Sequence, residues 1–315
     1  MNLPGRGVLL GRICSVLFCF LPRAFLMPAD NLYDRIAQKI VKVPKNLFPQ
    51  VKNRFPLVYL EHGRIEIDDS SVKWIDKTGS VVRLPVATIG SLFIGPGTSI
   101  THAAIGAISE ASCTICWIGE DSLKFYAYAE PPTADTQTLY KQLRLAFNDE
   151  SRVEVARKMF ARSFPDADLK GKSLQMMMGM EGRRVKGLYA QKSAEYGVPW
   201  SGRSYIPGQS SKSEPINRTL TFLNGLLYGV VTSALLSGGY SPRVGFIHSG
   251  SPLPFVYDVA DFYKENVTID LAFKLVHEDA DIYDRHVVID AFCNRLLERK
   301  ILMNIISDVE SVLEI

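Results

Sequence analysis

The hydrophobic pattern of this 315-residue chain changes its period near residue 132, and this change constrains the fold more than any other feature. Between residues 55 and 129, apolar residues alternate within short segments, which indicates β-strands. From residue 135 onward they recur every three to four positions, which is the period of amphipathic helices. The sequence therefore predicts an α+β fold, with a small N-terminal β domain over residues 55–131 and a larger all-α domain over 132–315.

The individual elements can also be placed from this pattern. A hairpin-type turn is predicted at residues 76–79 (DKTG), and one small helix at 101–111. The predicted strands cover residues 56–60, 63–68, 72–76, 80–84, 91–95, 113–118 and 122–128. The predicted helices of the second domain cover residues 135–147, 150–163, 171–197, 218–238, 253–265, 281–300 and 302–313.

The N-terminal 26 residues resemble a secretory signal peptide. Arg6 and Arg12 precede an apolar run over residues 13–21, but the run is short and no small-residue cleavage site follows it. We interpret residues 1–54 as an N-terminal extension and residues 1–26 as an upstream in-frame segment ahead of Met27, with a true signal as the alternative. Removing residues 1–26 takes the net charge from +3 to 0, so the overall charge does not indicate a partner.

A second stretch could be taken for a membrane span. Residues 219–240 contain no charged side chain, and their length would suffice to cross a bilayer. The run also contains four glycines and several Ser, Thr and Asn residues, and it lacks aromatic and basic anchors on both sides. We therefore predict a buried core helix and no membrane partner, with a transmembrane helix as the alternative.

Cysteine usage indicates a reducing compartment, which in this case means the cytoplasm. The chain has five cysteines, an odd number. Cys113 and Cys116 have the spacing of a redox or zinc motif, but no second Cys or His pair follows at a suitable interval. We predict that both are apolar residues of a buried strand.

Charge is segregated within the helical domain. Residues 170–244 carry ten Lys and Arg against three Glu, whereas residues 258–290 carry nine acidic residues against three basic ones. A basic segment next to an acidic cluster is consistent with a phosphate polyanion held over a cation site. A solvated helical surface is the simpler alternative.

Four residues on three predicted elements are candidates for such a site. Glu181 shares the apolar face of its helix with Leu174, Met177, Met178, Val185 and Leu188, so it should be protonated, bound to a cation, or paired with a side chain such as Arg184. Asp258 and Asp261 are three positions apart on one helix face, although such pairs often only face solvent. His248 follows an apolar segment and precedes a tight loop; a core histidine is the alternative.

Several segments together resemble one protein family, the CRISPR-associated integrase that forms the larger subunit of the spacer-acquisition complex, in its type I-E branch. The similarity extends from about Pro56 to near the C-terminus. The segments are LEHGRIEI at 60–67, DKTG at 76–79, PGT at 96–98, HAA at 102–104, VARKMF at 155–160, MEGRRV at 180–185, LYGV at 227–230, GFIHSG at 245–250 and FVYDVAD at 255–261.

The resemblance implies a metal-dependent DNA endonuclease and integrase with a β domain and a helical domain. It implies that Glu181, His248 and Asp261 are the metal ligands, that Asp258 supports the site, and that the ion is Mg²⁺ or Mn²⁺. Two carboxylates and one imidazole would leave positions for water and phosphate. The reaction implied is attack by the 3′-hydroxyl of a captured DNA fragment on a phosphodiester at the edge of a CRISPR repeat.

The resemblance also implies contacts with DNA and with other subunits. Lys264, Arg184 and Tyr205 match family positions, and at His62 a relative would place a tyrosine that stacks on the duplex end. Arg183, Lys186 and Arg243 are candidates through proximity in sequence alone. The implied assembly is two homodimers bridged by a small CRISPR-associated partner subunit. A general nuclease for branched DNA and a non-catalytic DNA-holding subunit remain alternatives.

Overall fold

The structure is a computed structural model that describes residues 53–69, 71–119, 125–130, 136–203 and 214–314. All of these residues belong to the structural unit Pro44–Ile315. Some predictions concern residues outside these ranges. They are the interpretation of residues 1–26, the extension up to residue 52, the role of Tyr205, and the domain boundary between residues 131 and 132.

The first region forms two four-stranded sheets, as the alternating pattern predicts. The first sheet has the order β1 (Phe55–Leu60), β5 (Ile89–Ile94), β7 (Thr114–Ile118) and β8 (Phe125–Ala129). The second has the order β4 (Val81–Leu84), β3 (Ser71–Asp76), β2 (Gly63–Asp68) and β6 (Ser99–Ile100). Strand β6 is not predicted from the sequence, because two residues carry no detectable period.

The pairing within the first sheet explains its apolar sequence. Strands β1, β5 and β7 pair in parallel, and β8 joins the edge antiparallel to β7. All six residues of the central strand β5 are buried, as expected for a strand covered on both faces. The helix α1 (His102–Glu110) connects the sheets, and the Thr101 hydroxyl caps it by accepting a hydrogen bond from the Ala104 N–H at 3.3 Å.

The second region is helical. Asn148 and Ser173 cap two of its helices with their side chains, and Gly197 ends the helix that Ser173 begins, in the left-handed conformation. The helices are α2 (Gln137–Phe147), α3 (Asp149–Ser163), α4 (Leu174–Tyr196), α5 (Pro215–Ser237), α6 (Pro254–Ala260), α7 (Asp270–His277), α8 (Arg285–Glu298) and α9 (Ile301–Leu313).

Helix α5 is the core helix predicted for the uncharged stretch. Among the described helices it alone is long and apolar enough to cross a membrane, and 83% of its most apolar window is buried inside the protein. It packs on β5 so closely that a Cβ on Gly229 would lie 2.3 Å from Cζ of Phe93. The Ser233 hydroxyl also donates a hydrogen bond to the Gly90 carbonyl at 3.0 Å. Strands and helices therefore share one hydrophobic core around α5.

The predicted continuous helix over residues 253–265 is wrong. Helix α6 ends at Ala260, three turn residues follow, and a π-helical segment at Lys264–Ile269 leads directly into α7. Helix α7 itself is not predicted from the sequence. The break occurs at Asp261, where no proline or glycine signals it, and π-helical turns are frequent at functional sites.

Candidate metal centre

The segment that carries His248 is held against helix α6 by one buried carboxylate. Asp258 is fully buried, and its two oxygens accept hydrogen bonds from the backbone N–H groups of Phe246 at 2.6 Å, Ile247 at 3.1 Å and His248 at 2.9 Å. The segment approaches so closely that a Cβ on Gly245 would lie 2.9 Å from Asp258 Oδ2. Asp258 therefore fixes the backbone segment that carries the His248 side chain.

Asp258 also fixes the imidazole ring. Nδ1 of His248 lies 2.7 Å from Asp258 Oδ1. Because a carboxylate only accepts, the hydrogen is on Nδ1, and the lone pair of the neutral ring is on Nε2. This hydrogen bond is the main reason that the pKa of His248 is raised, and burial partly opposes it. An acceptor behind a ligand histidine is the usual arrangement at metal sites.

Asp261 lies on the other side of the imidazole. Its Oδ2 is 4.0 Å from His248 Nε2, and its Oδ1 is 2.6 Å from Nζ of Lys264. The Lys264 ammonium also lies over the ring of Tyr228, 5.3 Å from its centroid. Burial is the largest single effect and lowers the pKa of Lys264, but the charges and hydrogen bonds of Asp261 and Tyr228 together outweigh it, and the net pKa is raised. Asp261 and Lys264, three positions apart in sequence, are therefore in direct contact, although the helix is interrupted at this point.

Glu181 approaches this pair from helix α4. Burial, and next the Asp261 charge, raise the pKa of Glu181 to about 7, and the charges of His248 and Lys264 partly oppose this rise. The Glu181 carboxyl has no hydrogen bond or ion pair with any other described residue. The structure thus contains a partly buried carboxyl that interacts electrostatically with Asp261 and His248 and has no hydrogen-bond or ion-pair partner in the described part of the chain.

The alternative pairing of Glu181 with Arg184 does not form. Arg184 is ion-paired with Glu265 at 2.5 Å and lies over the ring of Phe164, 4.5 Å from its centroid. The predicted apolar face around Glu181 is also wrong in one member, because Met178 is exposed.

The donor set fits a divalent cation, but the side chains are not arranged around one. No group of three His, Cys, Asp or Glu side chains has metal-binding geometry in the described part of the chain. His248 and Asp261 come together, and Glu181 interacts with both electrostatically. Two carboxylates and one imidazole suit Mg²⁺ or Mn²⁺ better than a soft metal.

The other predicted contact residues lie at the surface. Arg183, Lys186 and Arg243, the predicted phosphate contacts, are exposed. His62 is exposed at the corner between β1 and β2, with φ of +53°, and its ring lies against Gly97.

Sequence reasoning missed two residues that hold the His248 segment. Gln142 and Arg152 donate hydrogen bonds to backbone carbonyls of residues 241–246. In the sequence, Gln142 looks like any polar residue of the amphipathic helix α2. Only the structure shows that its side chain is fully buried.

Comparison with known proteins gives the class of protein. The chain matches the family described as CRISPR associated protein Cas1 over residues 57–167 and 160–291. It is 50% identical over 277 residues to CRISPR-associated endonuclease Cas1 2 of Chlorobaculum tepidum, covering 88% of this chain and 94% of that relative. This chain therefore belongs to the Cas1 family of CRISPR-associated proteins.

Two further relatives define the similarity more closely. CRISPR-associated endonuclease Cas1 of Escherichia coli K12 is 35% identical over 245 residues, covering 78% of this chain and 80% of the relative. The crystal structure of a TtCas1-DNA complex is similar with a TM-score of 0.73 and 36% identity, covering 82% of this chain and 91% of that one. The mixed fold, with an N-terminal β region and a helical C-terminal region, is thus the Cas1 fold.

Proposed function

We propose that this chain is a metal-dependent DNA endonuclease and integrase that joins 3′-hydroxyl ends of captured foreign DNA fragments into a CRISPR array by transesterification. In this proposal Glu181, His248 and Asp261 bind Mg²⁺ or Mn²⁺. Family membership supports a nuclease, since the curated relatives are named CRISPR-associated endonucleases. The relative solved as a DNA complex supports DNA as the substrate.

One observation supports the site above all. His248 Nε2 and Asp261 Oδ2 face each other at 4.0 Å, and Glu181 is desolvated beside them without a partner among the described residues. A buried carboxyl without a hydrogen bond or cation is costly for the folded state. A divalent cation shared with His248 and Asp261 would remove that cost.

Each protein group has a separate task in the reaction. When bound, the ion would polarise a phosphodiester and stabilise charge on the leaving oxygen. Asp258 keeps the His248 hydrogen on Nδ1, which presents Nε2 as a ligand. Lys264 binds one oxygen of Asp261, so that the other faces His248.

The nucleophile is supplied by DNA. The 3′-hydroxyl of the captured fragment attacks the phosphodiester at the repeat edge, the P–O bond to the leaving 3′-oxygen breaks, and a new phosphodiester forms. With water in place of the 3′-hydroxyl, the same site hydrolyses DNA. No covalent enzyme intermediate is needed, so Tyr228 and Tyr257 are not nucleophiles.

The basic and aromatic surface residues hold the DNA. The exposed side chains of Arg183, Lys186 and Arg243 contact backbone phosphates, and such contacts position a duplex without reading its sequence. His62 stacks on the duplex end at the exposed corner of the β region. Lys264 and Arg184 add positive charge near Asp261 and Glu181, and Tyr205 contacts the fragment's 3′ end.

The protein works within an assembly. We propose a homodimer, with two dimers bridged by a small CRISPR-associated partner subunit, in a type I-E system in the cytoplasm. The substrates are double-stranded DNA with 3′ ends and CRISPR repeat DNA.

The test is strand joining by the purified protein. A DNA duplex with 3′-hydroxyl ends is incubated with a supercoiled plasmid carrying a CRISPR repeat, with Mn²⁺ or Mg²⁺, with and without the partner subunit. Glu181→Ala, His248→Ala and Asp261→Ala should each abolish joining and leave duplex binding largely unchanged, because phosphate contacts hold the DNA. Glu195→Ala, on the same helix as Glu181 but in a surface ion pair, is the matched control and should stay active.

The outcomes separate the alternatives. Full joining by any one of the three ligand variants would refute the metal site. Cleavage of branched DNA without joining, and without need of the partner, would favour a repair nuclease over an integrase.

A further inference from the structure

Gln142 is fully buried, and its side-chain amide forms hydrogen bonds with the backbone of a turn that is distant in sequence. Its Nε2 donates to the carbonyl of Ser241 at 3.0 Å and to that of Val244 at 2.7 Å, and its Oε1 accepts from the Ser241 N–H at 2.8 Å. These partners are 99 to 102 residues away in sequence. An amide buried without such partners would destabilise the folded state, so the three hydrogen bonds explain why this buried position can be polar.

The turn that Gln142 binds leads directly into the His248 segment. Two residues after Val244, the carbonyl of Phe246 accepts a hydrogen bond from Nε of Arg152 at 3.0 Å. From there Asp258 accepts the N–H groups of Phe246, Ile247 and His248. Side chains from three helices, α2, α3 and α6, thus hold residues 241–248 along their length.

The two ends of this segment carry different functions. Arg243 is exposed inside the turn that Gln142 binds, and His248 ends the stretch with its imidazole between Asp258 and Asp261. Asp258 orients the imidazole directly. Gln142 binds the other end, and it touches neither His248 nor Arg243 through any hydrogen bond among the described residues.

We propose that Gln142 is a positioning residue, which sets the place of the His248 imidazole through the backbone of residues 241–248. This inference rests on the proposed function, because it concerns His248 as a ligand. Loss of the three bonds would leave the Val244 carbonyl and the Ser241 N–H without a partner among the described residues, and the Ser241 carbonyl with only the Val244 N–H at 3.4 Å. The turn would then relax, and a shift of the imidazole by about 1 Å would be enough to slow the chemistry strongly.

The test compares two variants of Gln142 with a neighbouring control. Gln142→Met keeps the length of the side chain and removes all three bonds, whereas Gln142→Asn keeps an amide that is too short to reach both carbonyls. Lys141→Met changes an exposed residue next to it on the same helix. Each full-length variant is measured for Mn²⁺ binding by electron paramagnetic resonance, for duplex DNA affinity and for the joining rate at saturating DNA.

We expect graded losses that a merely structural role would not produce. In Gln142→Met, the Mn²⁺ dissociation constant should rise about tenfold, as for outer partners of metal ligands, and the joining rate should fall by about tenfold or more. The DNA dissociation constant should stay within about twofold, since distributed phosphate contacts set it. Gln142→Asn should lie between Gln142→Met and wild type, and Lys141→Met should match wild type.

The results that would overturn the inference are distinct from those that would overturn the proposed function. If both Gln142 variants bind Mn²⁺ and join DNA like the wild type, or lose only thermal stability, then Gln142 is structural. Should Gln142→Met fail to fold, the milder Gln142→Asn decides by the same readouts. A wild-type protein that neither binds Mn²⁺ nor joins DNA would refute the proposed function and this inference with it.

Discussion

Replacing Glu181 by glutamine should stabilise the metal-free protein at alkaline pH. The folded protein raises the pKa of Glu181 from 4.5 to about 7, mainly by burial and then by the Asp261 charge. The folded state therefore holds this proton more tightly than the unfolded chain does. As pH rises from about 4.5 to about 7, ionisation becomes progressively more costly to the folded state, and above pH 7 the full penalty applies.

The magnitude follows from the shift. A difference of about 2.5 pKa units corresponds to about 3 kcal/mol of unfolding free energy, which Glu181→Gln should restore at pH 8. For a chain of this size, with about 2.1 cal/mol/K of unfolding entropy per residue, that is an increase of roughly 5 °C in Tm. At pH 4 the wild type and the variant should have nearly equal Tm, since Glu181 is then mostly protonated in both states.

The assay is thermal unfolding in EDTA from pH 4 to pH 8.5, followed by circular dichroism. Glu298→Gln is the control, because that side chain is 70% exposed and its charge should contribute little. Adding Mn²⁺ at pH 8 should raise the Tm of the wild type and leave that of Glu181→Gln almost unchanged. A Glu181→Gln variant that is no more stable than the wild type at pH 8 would refute the energetic cost of the Glu181 carboxylate and its proposed role as a metal ligand.

Three further changes test how the site is built. Asp258→Asn should lower the unfolding free energy by about 3 kcal/mol in urea titrations, because an amide cannot accept every hydrogen bond that the carboxylate accepts; unchanged stability would contradict that network. Gly245→Ala should cost about 2 kcal/mol by the same titration, since its Cβ would lie 2.8 Å from Pro254 Cβ; a neutral effect would show that the segment can move. Lys264→Ala should slow joining at least about tenfold at saturating DNA, because the charge beside Asp261 acts in the transition state; recovery of the full rate at saturation would make Lys264 only an anchor.

The Gly245→Ala prediction has a matched control within the chain. Gly187 lies in helix α4, and a Cβ there would meet no atom within 4 Å. Gly187→Ala should therefore be neutral or stabilising by up to about 1 kcal/mol, from helix propensity alone. A similar loss of stability in both variants would indicate a general sensitivity to alanine and not the close approach at Gly245.

The elements of regular period could be predicted from the sequence, and the break beside the site could not. The strands and most helices lie within a few residues of their predicted bounds, because alternation and the 3.6-residue period reflect burial directly. The apolar residues Val256, Val259, Tyr263 and Val267 continue almost at helical spacing through the break at Asp261. A π-helical turn is not visible in such a pattern, so the sequence predicts one helix over residues 253–265, where the structure has helix α6, three turn residues and the start of the π-helical segment.

The candidate ligands could be proposed from the sequence, whereas the hydrogen bonds that hold the His248 segment in place could not. A carboxylate on a partly apolar helix face, a histidine before a tight loop and two aspartates at helical spacing are visible as residue types. The bonds of Asp258 and Gln142 to backbone groups leave no pattern in the sequence, since backbone N–H and C=O groups are the same in every residue. Only the fold shows that these side chains reach residues 241–248.

The most direct test of the central claim is the position of a bound metal ion. Crystals grown with Mn²⁺ would be measured at the manganese absorption edge, so that anomalous differences locate the ion. We expect a peak bound by the Glu181 carboxylate, His248 Nε2 and an oxygen of Asp261, with Asp258 still bound to His248 Nδ1. A structure with Mn²⁺ elsewhere, or with these three side chains unliganded at saturating Mn²⁺, would contradict it.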